Sequence, residues 1–487
     1  MEARNLLWLS VHKLKRLLVK LRSFYQLDVR ALGLMRIGVA LVVLADITIR
    51  WQDIGAFFTD GGLWPTKLIP NFGWQPGFWS FHALSGSYGF ATLLFCLHTG
   101  VALLLLVGYK TRLATLLVWI FTISLHNRNL FILQSGDDLL RITLFWALFL
   151  PWGNTLSLDA KKYISKPKHF SFASLGYLCL IASVYIFTVL LKNSSEWHGD
   201  ASAVYYALSL DQLRLPVGDW LYMHPGLMQW LTKLVYITEI LIPILILLPT
   251  KNKWIKLCSF TLILIMHIGI GTSLYVGLFY IINITTALAI LPSEFLDRFK
   301  VLARSNFEKA KRKSFSVIKY GANAFSALVL ALCLILNLSY MPWYSYELDK
   351  PIHVVVNTLR LNQFWGMFSP HIMKEDGWYL HEGYTAEGKL WDLYYNLPYI
   401  YSDKPKHLVK HFKSDRWRKL AENMQRNDYT FLRPLYCKYF LKKWNKEHLK
   451  NQMESLDLIF FQENNEADYR SKAINRKQYC FCTVHDE

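Results

Sequence analysis

Residues 172 to 191 read FASLGYLCLIASVYIFTVLL, and no charged side chain interrupts this run. About 20 mostly apolar residues in a helix cross the hydrocarbon core of a bilayer, so the stretch predicts a membrane-spanning segment. The run ends at Lys192, which precedes the polar stretch Asn193-Ser-Ser-Glu-Trp197. Because similar apolar runs recur along the chain, we predict an all-α polytopic membrane domain of about nine transmembrane helices.

The overall composition also favours a membrane protein. Of the 487 residues, 53% are hydrophobic and only 18% are charged, which lies outside the usual balance of soluble domains. The formal net charge of +19 could suggest nucleic acid, but no zinc-finger or RNP-like motif accompanies it. We therefore expect the lipid bilayer, and no nucleic acid, as a partner.

The candidate spans differ in length. Nine are predicted, near residues 31 to 50, 88 to 108, 113 to 126, 139 to 152, 172 to 191, 228 to 248, 257 to 271, 274 to 291 and 320 to 340. The third, fourth, seventh and eighth are short, so we expect some of them to be tilted, broken or re-entrant. Residues 1 to 30 form a separate segment, in which residues 5 to 24 predict an uncleaved basic amphipathic helix at the cytoplasmic membrane surface.

Lys and Arg in the connecting loops predict the orientation. The loops on one side carry 24 of these residues and the loops on the other side carry 5. The positive-inside rule then places the N-terminus in the cytoplasm. An odd number of spans puts residues 341 to 487 outside, which is the periplasm if the chain is a bacterial inner-membrane protein.

Residues 341 to 487 change character after the membrane domain of residues 31 to 340. Gly377 to Tyr384 and Lys389 to Tyr395 alternate in polarity on either side of a turn and predict a β-hairpin. Helical patterning follows at 414 to 450, and strands are predicted at 455 to 462 and 477 to 484. We therefore predict a small α+β extracytoplasmic domain.

The cysteines of the tail leave two possibilities open. Cys437 could form a disulfide with Cys480 or Cys482 in an oxidising compartment, and the sequence does not determine the connectivity. Cys480, Cys482 and His485 could also suggest a metal site, but three candidate ligands at a chain end are a weak signal. We expect no metal.

Ionisable groups inside spanning segments are expensive to desolvate, and each is a candidate functional residue. The set comprises Arg36, Asp46, His98, His126, Arg141, Lys192, Glu239 and His267. Each could instead form a structural ion pair or hydrogen bond between helices. For Arg36, Asp46 and Arg141 we favour that structural role, because charges near helix ends commonly snorkel or pair.

Lys192 and His267 are the candidates with the clearest chemistry. An amine held in an apolar site loses its proton more readily than in water and can then act as a general base. Lys192 could alternatively snorkel from its helix end. His267 lies mid-membrane before Gly269 and Gly271, where the chain could line a cavity or where the histidine could be a satisfied core residue.

A third polar stretch separates two predicted spans. His126, Asn127 and Arg128 are followed by Ser135-Gly-Asp-Asp138. Capping of a helix by Asp137 or Asp138 explains part of this pattern. It leaves His126 and Arg128 without an assigned role.

These residues, in this order, resemble the vitamin K-dependent γ-carboxylase superfamily, whose membrane module is the HTTM (horizontally transferred transmembrane) domain. The matching features are Leu34-Met-Arg36-Ile-Gly, Phe58-Thr-Asp60-Gly-Gly-Leu-Trp-Pro65, Leu125-His126-Asn127 with Gly136-Asp137-Asp138, Phe187-Thr-Val-Leu-Leu-Lys192 through Trp197, and His267 with Gly277-Leu-Phe279. The resemblance covers about residues 30 to 300. Gln363-Phe-Trp-Gly-Met-Phe-Ser-Pro370 and Asp376-Gly-Trp-Tyr379 look like the tail of bacterial-type members.

The resemblance implies a site and a cofactor. Lys192 would deprotonate a reduced isoprenoid quinone similar to vitamin K hydroquinone, supported by His267 and His126 as further catalytic residues. Asn127, Arg128 and Trp197 would bind the quinone. In the carboxylase, oxygen then converts the quinol into a strong base that prepares a protein glutamate for carboxylation.

The tail departs from the carboxylase pattern, because residues 341 to 487 are too few to supply the larger lumenal region of that enzyme. The sequence therefore leaves two functions open. The first is a quinol-dependent epoxidase or carboxylase-like enzyme of the lyase class, with an extracytoplasmic protein or peptide as a candidate partner. The second is a non-enzymatic membrane scaffold that binds a lipid or a protein partner through its outer domain.

Overall fold

The computed structural model describes residues 19–162, 167–299, 316–466 and 473–486. Most of the interfacial helix predicted at residues 5 to 24 lies outside these residues. Helices account for most of the first two thirds of the chain, and strands are concentrated in the tail. Two-residue strands β1 (Leu27–Asp28) and β2 (Lys168–His169) pair antiparallel near the start of the membrane domain.

Six helices in the described residues are long and apolar enough to cross a membrane. They are α1 (Val29–Trp51), α2 (Tyr88–Val107), α5 (Phe172–Leu191), α6 (Pro225–Leu247), α7 (Lys253–Ser273) and α9 (Ser316–Leu338), of which Tyr320–Leu338 meets the apolar criterion. Each has 19 to 23 residues in its apolar portion, which matches the thickness of a bilayer core. The chain therefore contains a helical membrane domain.

The other predicted spans are also helical, but they are shorter. They are α3 (Thr111–Arg128), α4 (Ser135–Ala147) and α8 (Phe279–Ala287), the last of which continues into the turn Leu288–Ile290. With 13 residues, α4 is about 20 Å long, less than the roughly 30 Å of a bilayer core. Nearly all of its side chains are buried. The helix is thus enclosed by neighbouring segments.

Arg36 illustrates how a charge inside the membrane domain is used structurally. Its guanidinium donates hydrogen bonds to the carbonyl oxygens of Leu105, Leu106 and Leu156. A Cβ on Gly108 would meet this guanidinium at 2.9 Å, and Gly108 ends α2 with a φ of +70°. Arg36 therefore joins two carbonyl groups at the C-terminus of α2 to that of Leu156 in a later segment, in agreement with the structural role predicted for it.

The connections between the long helices contain short helical turns. These turns are Ile54–Phe57, Ser195–His198, Ala203–Ser209, Pro216–Tyr222 and Ser293–Leu296. After α9 the chain continues through α10 (Lys350–Leu359) into the tail.

The tail contains a four-stranded antiparallel sheet. Its spatial order is β4 (Leu390–Asp392), β3 (Glu375–Tyr384), β5 (Ser455–Asn464) and β6 (Ala473–Thr483). The predicted hairpin is present, but β4 is shorter than the predicted strand because the Asp392 side chain accepts hydrogen bonds from the backbone of Tyr394 and Tyr395 and turns the chain. The predicted helical region contains α11 (Asp415–Gln425) and α12 (Leu432–Glu447).

The three tail cysteines meet where α12 packs on β6. The Cys437 thiol lies 3.5 Å from the carbonyl oxygen of Cys480. All seven cysteines are free thiols in the structure. His485 Nε2 lies 3.1 Å from the carboxylate of Glu454 on the surface.

Candidate functional site

Lys192 lies at the C-terminal end of α5 and is buried, with 3% of its surface exposed. Its Nζ is 2.5 Å from Oε2 of Glu239 on α6 and 3.7 Å from the centre of the Trp197 ring. A buried ammonium needs such an opposite charge, and an aromatic face adds further stabilisation. The sequence singled out both ionisable groups but did not predict that they pair.

His267 and Tyr185 extend this arrangement across the helices. The Tyr185 hydroxyl, on α5, is 3.0 Å from Nε2 of His267 on α7, and Tyr185 is close enough to Glu239 for electrostatic interaction. The Nδ1 atom of His267 is buried and has no hydrogen-bond partner among the described residues. Lys192, Glu239, Trp197, Tyr185 and His267 are called the lysine cluster below.

The tail covers the lysine cluster. Thr188 donates a hydrogen bond to the carbonyl oxygen of Trp365 at 2.8 Å, and the Trp197 indole donates to the carbonyl oxygen of Phe368 at 3.0 Å. The Trp365 side chain is completely buried. The segment that the sequence compared with bacterial-type tails is therefore packed against the predicted base.

Glu196, next to Trp197, provides a second attachment for the tail. Its carboxylate is 3.0 Å from Nζ of Lys374 and 3.3 Å from Nδ1 of His371. Burial opposes ionisation of Glu196, but hydrogen bonds from Ser194 and the backbone and the charge of Lys374 outweigh it and lower its pKa to about 2. Glu196 therefore remains an anion at neutral pH.

A second buried group of charges lies where α11 meets the membrane domain. Arg50 is 2.8 Å from Asp46 and 2.7 Å from Asp137. Arg416 of α11 is 2.6 Å from each of the same two carboxylates. These four residues, called the ionic cluster below, carry two positive and two negative charges.

His126 belongs to the surroundings of the ionic cluster. Its Nε2 is 3.5 Å from Asp137 and its Nδ1 is 3.4 Å from Arg141. Candidate ligand atoms of Asp46, His126 and Asp137 lie within 4.8 Å of one another, as a metal would need. However, the two guanidinium groups already contact all four carboxylate oxygens, so a cation there would face two positive charges. The residues fit an ion-pair network better than a metal centre.

Asn127 and Arg128 hold the first predicted outer loop. Asn127 donates to the carbonyl oxygen of Trp79 at 2.8 Å, and Arg128 donates to that of Trp64 at 2.8 Å. Each also has buried polar atoms with no partner within residues 19–162, 167–299, 316–466 and 473–486, namely Asn127 Oδ1 and Arg128 Nε and Nη2. Their observed contacts are structural, while these atoms could still accept or donate one further bond.

The six residues predicted as a site thus fall into two groups. Lys192, Trp197 and His267 lie in the lysine cluster, whereas His126, Asn127 and Arg128 make their contacts around the ionic cluster and the outer loop. The tail links the two regions, because Arg141 donates to the carbonyl oxygen of Arg360 at 2.9 Å a few residues before Trp365. Sequence reasoning missed Tyr185 and Arg416, since neither lies in a motif and both acquire their role only through packing.

Comparisons with protein families, curated proteins and solved structures found no match for this chain. The function is therefore argued from the residues and their geometry.

Proposed function

We propose that the chain crosses the membrane nine times, with its N-terminus in the cytoplasm and its α+β domain outside. Helices at the positions of all nine candidate spans and the excess of Lys and Arg on one side support this topology. In this orientation α5 runs outward and ends at Lys192. The lysine cluster then occupies the outer half of the membrane, beneath the tail.

We further propose that the lysine cluster is the site of a quinol-dependent epoxidase or carboxylase-like enzyme. The observation that carries this proposal is the buried Lys192–Glu239 pair, set against Trp197 and continued by Tyr185 and His267. The resemblance of the surrounding motifs to the γ-carboxylase superfamily supplies the substrate class. A bound quinol would supply a phenolic proton and two reducing electrons.

The residues present suit a phenolic ligand. The Trp197 ring offers an aromatic surface, and the unpartnered Nδ1 of His267 can exchange a hydrogen bond with a hydroxyl group. Lys192, Glu239 and His267 are buried, so a ligand among them would be shielded from water. Lys192, Trp197 and His267 are the residues that we assign to this ligand, while His126, Asn127 and Arg128 act at a distance by fixing α3 and the outer loop.

The base in this proposal is the pair of residues and not Lys192 alone. The pair is neutral as a unit, with an ammonium on Lys192 and a carboxylate on Glu239. A proton accepted at Oε1 of Glu239, which has no hydrogen-bond partner in the described residues, leaves the pair with one positive charge. The face of the Trp197 ring stabilises that charge.

Quinol turnover by the purified full chain tests this function. Wild-type protein supplied with vitamin K hydroquinone and molecular oxygen in detergent is expected to yield epoxidised quinone, with one oxygen atom entering the epoxide and the other leaving as water, and chromatography measures the product. Lys192→Ala should abolish the product. Lys233→Ala, which removes an exposed lysine from α6, should leave product formation unchanged and is the matched control.

One observation favours a second candidate function. Both charged clusters attach the tail to the membrane domain, as expected of a scaffold that presents its outer domain to a lipid or protein partner. Wild-type protein that neither binds nor turns over vitamin K hydroquinone would support the scaffold and remove the enzyme proposal.

A further inference from the structure

A cavity of about 300 Å³ lies at the other end of the membrane domain from the lysine cluster. Residues Ser23 to Asp28, the start of α7 and the segment from Ala289 to Glu294 line it. Its volume falls at the lower end of the range of ligand pockets. By the proposed topology, the cavity opens at the cytoplasmic surface of the bilayer.

Four lysines surround the cavity: Lys168, Lys251, Lys253 and Lys256. Of the two carboxylates in its lining, Asp28 is held by Arg30 at 2.8 Å, and Glu294 lies 3.9 Å from Lys168.

The other three lysines form no ion pair within the described parts of the chain, although Glu294 is near enough to Lys256 for electrostatic interaction. Lys256 donates to the carbonyl oxygen of Phe24 at 3.1 Å, which does not neutralise its charge. In the described parts of the chain, no carboxylate lies within ion-pair distance of Lys251, Lys253 or Lys256. The cavity therefore carries excess positive charge.

The inner part of the cavity has a different character. Leu178, Ile246, Ile290 and Leu291 contribute apolar surface. The Ser293 hydroxyl is buried there and has no hydrogen-bond partner in the part of the chain that the structure describes, so it can donate one bond to a ligand. Cationic groups around an apolar floor suit an amphiphile whose charged end is an anion.

The neighbouring side chains place the cavity at the membrane surface. Trp254 follows Lys253 in α7 and exposes 57% of its surface, as expected for an aromatic residue at the level of the lipid headgroups. Basic pockets between spanning helices on the cytoplasmic side suit anionic lipid headgroups. The phosphate would contact the lysines, and the glycerol and first methylene groups would lie on the apolar floor.

We propose that this cavity binds the phosphate group of an anionic membrane lipid, with Lys251, Lys253 and Lys256 as its cationic contacts and Ser293 as a hydrogen-bond donor. The site is separate from the lysine cluster and does not depend on quinol chemistry. The apolar floor favours a lipid over free phosphate as the source of the phosphate group.

Thermal unfolding of the detergent-solubilised full chain tests the proposal. A ligand that binds the native state raises the Tm, so phosphatidylglycerol is expected to raise the Tm of wild type, whereas phosphatidylcholine and inorganic phosphate are not. The triple variant Lys251→Gln/Lys253→Gln/Lys256→Gln should lose the rise. Lys442→Gln/Lys443→Gln/Lys446→Gln removes three exposed lysines from the tail and should keep it.

Three outcomes would overturn the proposed site or the assignment of its ligand to a lipid. A rise that survives in the cavity variant would show that phosphatidylglycerol acts elsewhere. An equal rise with inorganic phosphate would assign the site to a soluble anion and exclude the lipid. If the triple variant fails to fold, the double variant Lys251→Gln/Lys253→Gln takes its place, because it changes only exposed side chains. This double variant must lose most of the rise in Tm. An unchanged rise in Tm would reject the site.

Discussion

The ionic cluster and the lysine cluster are both buried, both balanced in charge and both in contact with the tail. In the ionic cluster, every carboxylate oxygen of Asp46 and Asp137 contacts a guanidinium group. In the lysine cluster, the Lys192 ammonium contacts one carboxylate oxygen of Glu239, and His267 Nδ1 has no partner in the described part of the chain. The first cluster is therefore suited to holding two parts of the chain together, and the second retains the capacity to exchange a proton.

The largest effect is expected from Arg416→Ala. This change leaves Asp46 and Asp137 with a single guanidinium between two buried carboxylates, and breaking a buried ion pair costs about 3–5 kcal/mol. The contact of α11 with the membrane domain should loosen, which limited proteolysis and thermal unfolding would detect. Arg426→Ala is the control, because Arg426 lies on the surface and pairs with Asp428 at only 3.8 Å. Equal stability of the two variants would refute a fastening role for the ionic cluster.

A smaller loss is expected from Glu239→Gln. The amide still accepts a hydrogen bond from Lys192, but the buried ammonium loses its opposite charge, so the expected cost is about 3 kcal/mol, at the lower end of the range for a broken buried ion pair. The double variant Lys192→Met/Glu239→Gln should recover part of that loss, because no unpaired charge remains.

Denaturant unfolding of the wild type, both single variants and the double variant gives the coupling energy of the pair. A coupling near zero would contradict the pairing of Lys192 with Glu239. Quinol turnover should be absent from all three variants if the pair is the base.

Acidification should release the attachment at Glu196. The pKa of Glu196 is lowered to about 2, against about 4.3 in an unfolded chain. Its stabilising contribution is therefore present above about pH 4.3 and is lost as the pH falls through about 2.

Protease sensitivity of the segment near Lys374, followed from pH 6 down to pH 2, measures this loss. Glu196→Gln should be sensitive at pH 6 already and should depend less on pH than wild type. Identical pH profiles for the two proteins would exclude Glu196 as the responsible group.

The features that the sequence could predict are those that depend on neighbouring residues, and the features that it could not predict depend on contacts between residues far apart in the chain. The spans and tail strands could be predicted because hydropathy and alternation are local properties of the chain. Lys192 and His267 could be singled out, because charged groups within apolar runs are costly. The contact of Arg416 with Asp46 joins residues 370 positions apart, and Arg416 lies in a helix with ordinary surface-like patterning. No local signal distinguishes such a residue from a solvated one.

His267→Gln is expected to have the smallest effect on stability. It also distinguishes most clearly between the roles of the two clusters. Glutamine can keep the hydrogen bond with Tyr185, so the free energy of unfolding should change by about 1 kcal/mol or less. It cannot, however, take up and release a proton as imidazole does. If the lysine cluster only holds helices together, His267→Gln should not change quinol binding or turnover. If the cluster exchanges protons, turnover should fall steeply, while folding and tail attachment should remain as in wild type. Arg416→Lys, tested in parallel, should have the opposite effects. It should lose measurable stability and keep nearly the same turnover per folded molecule, because Arg416 holds the tail.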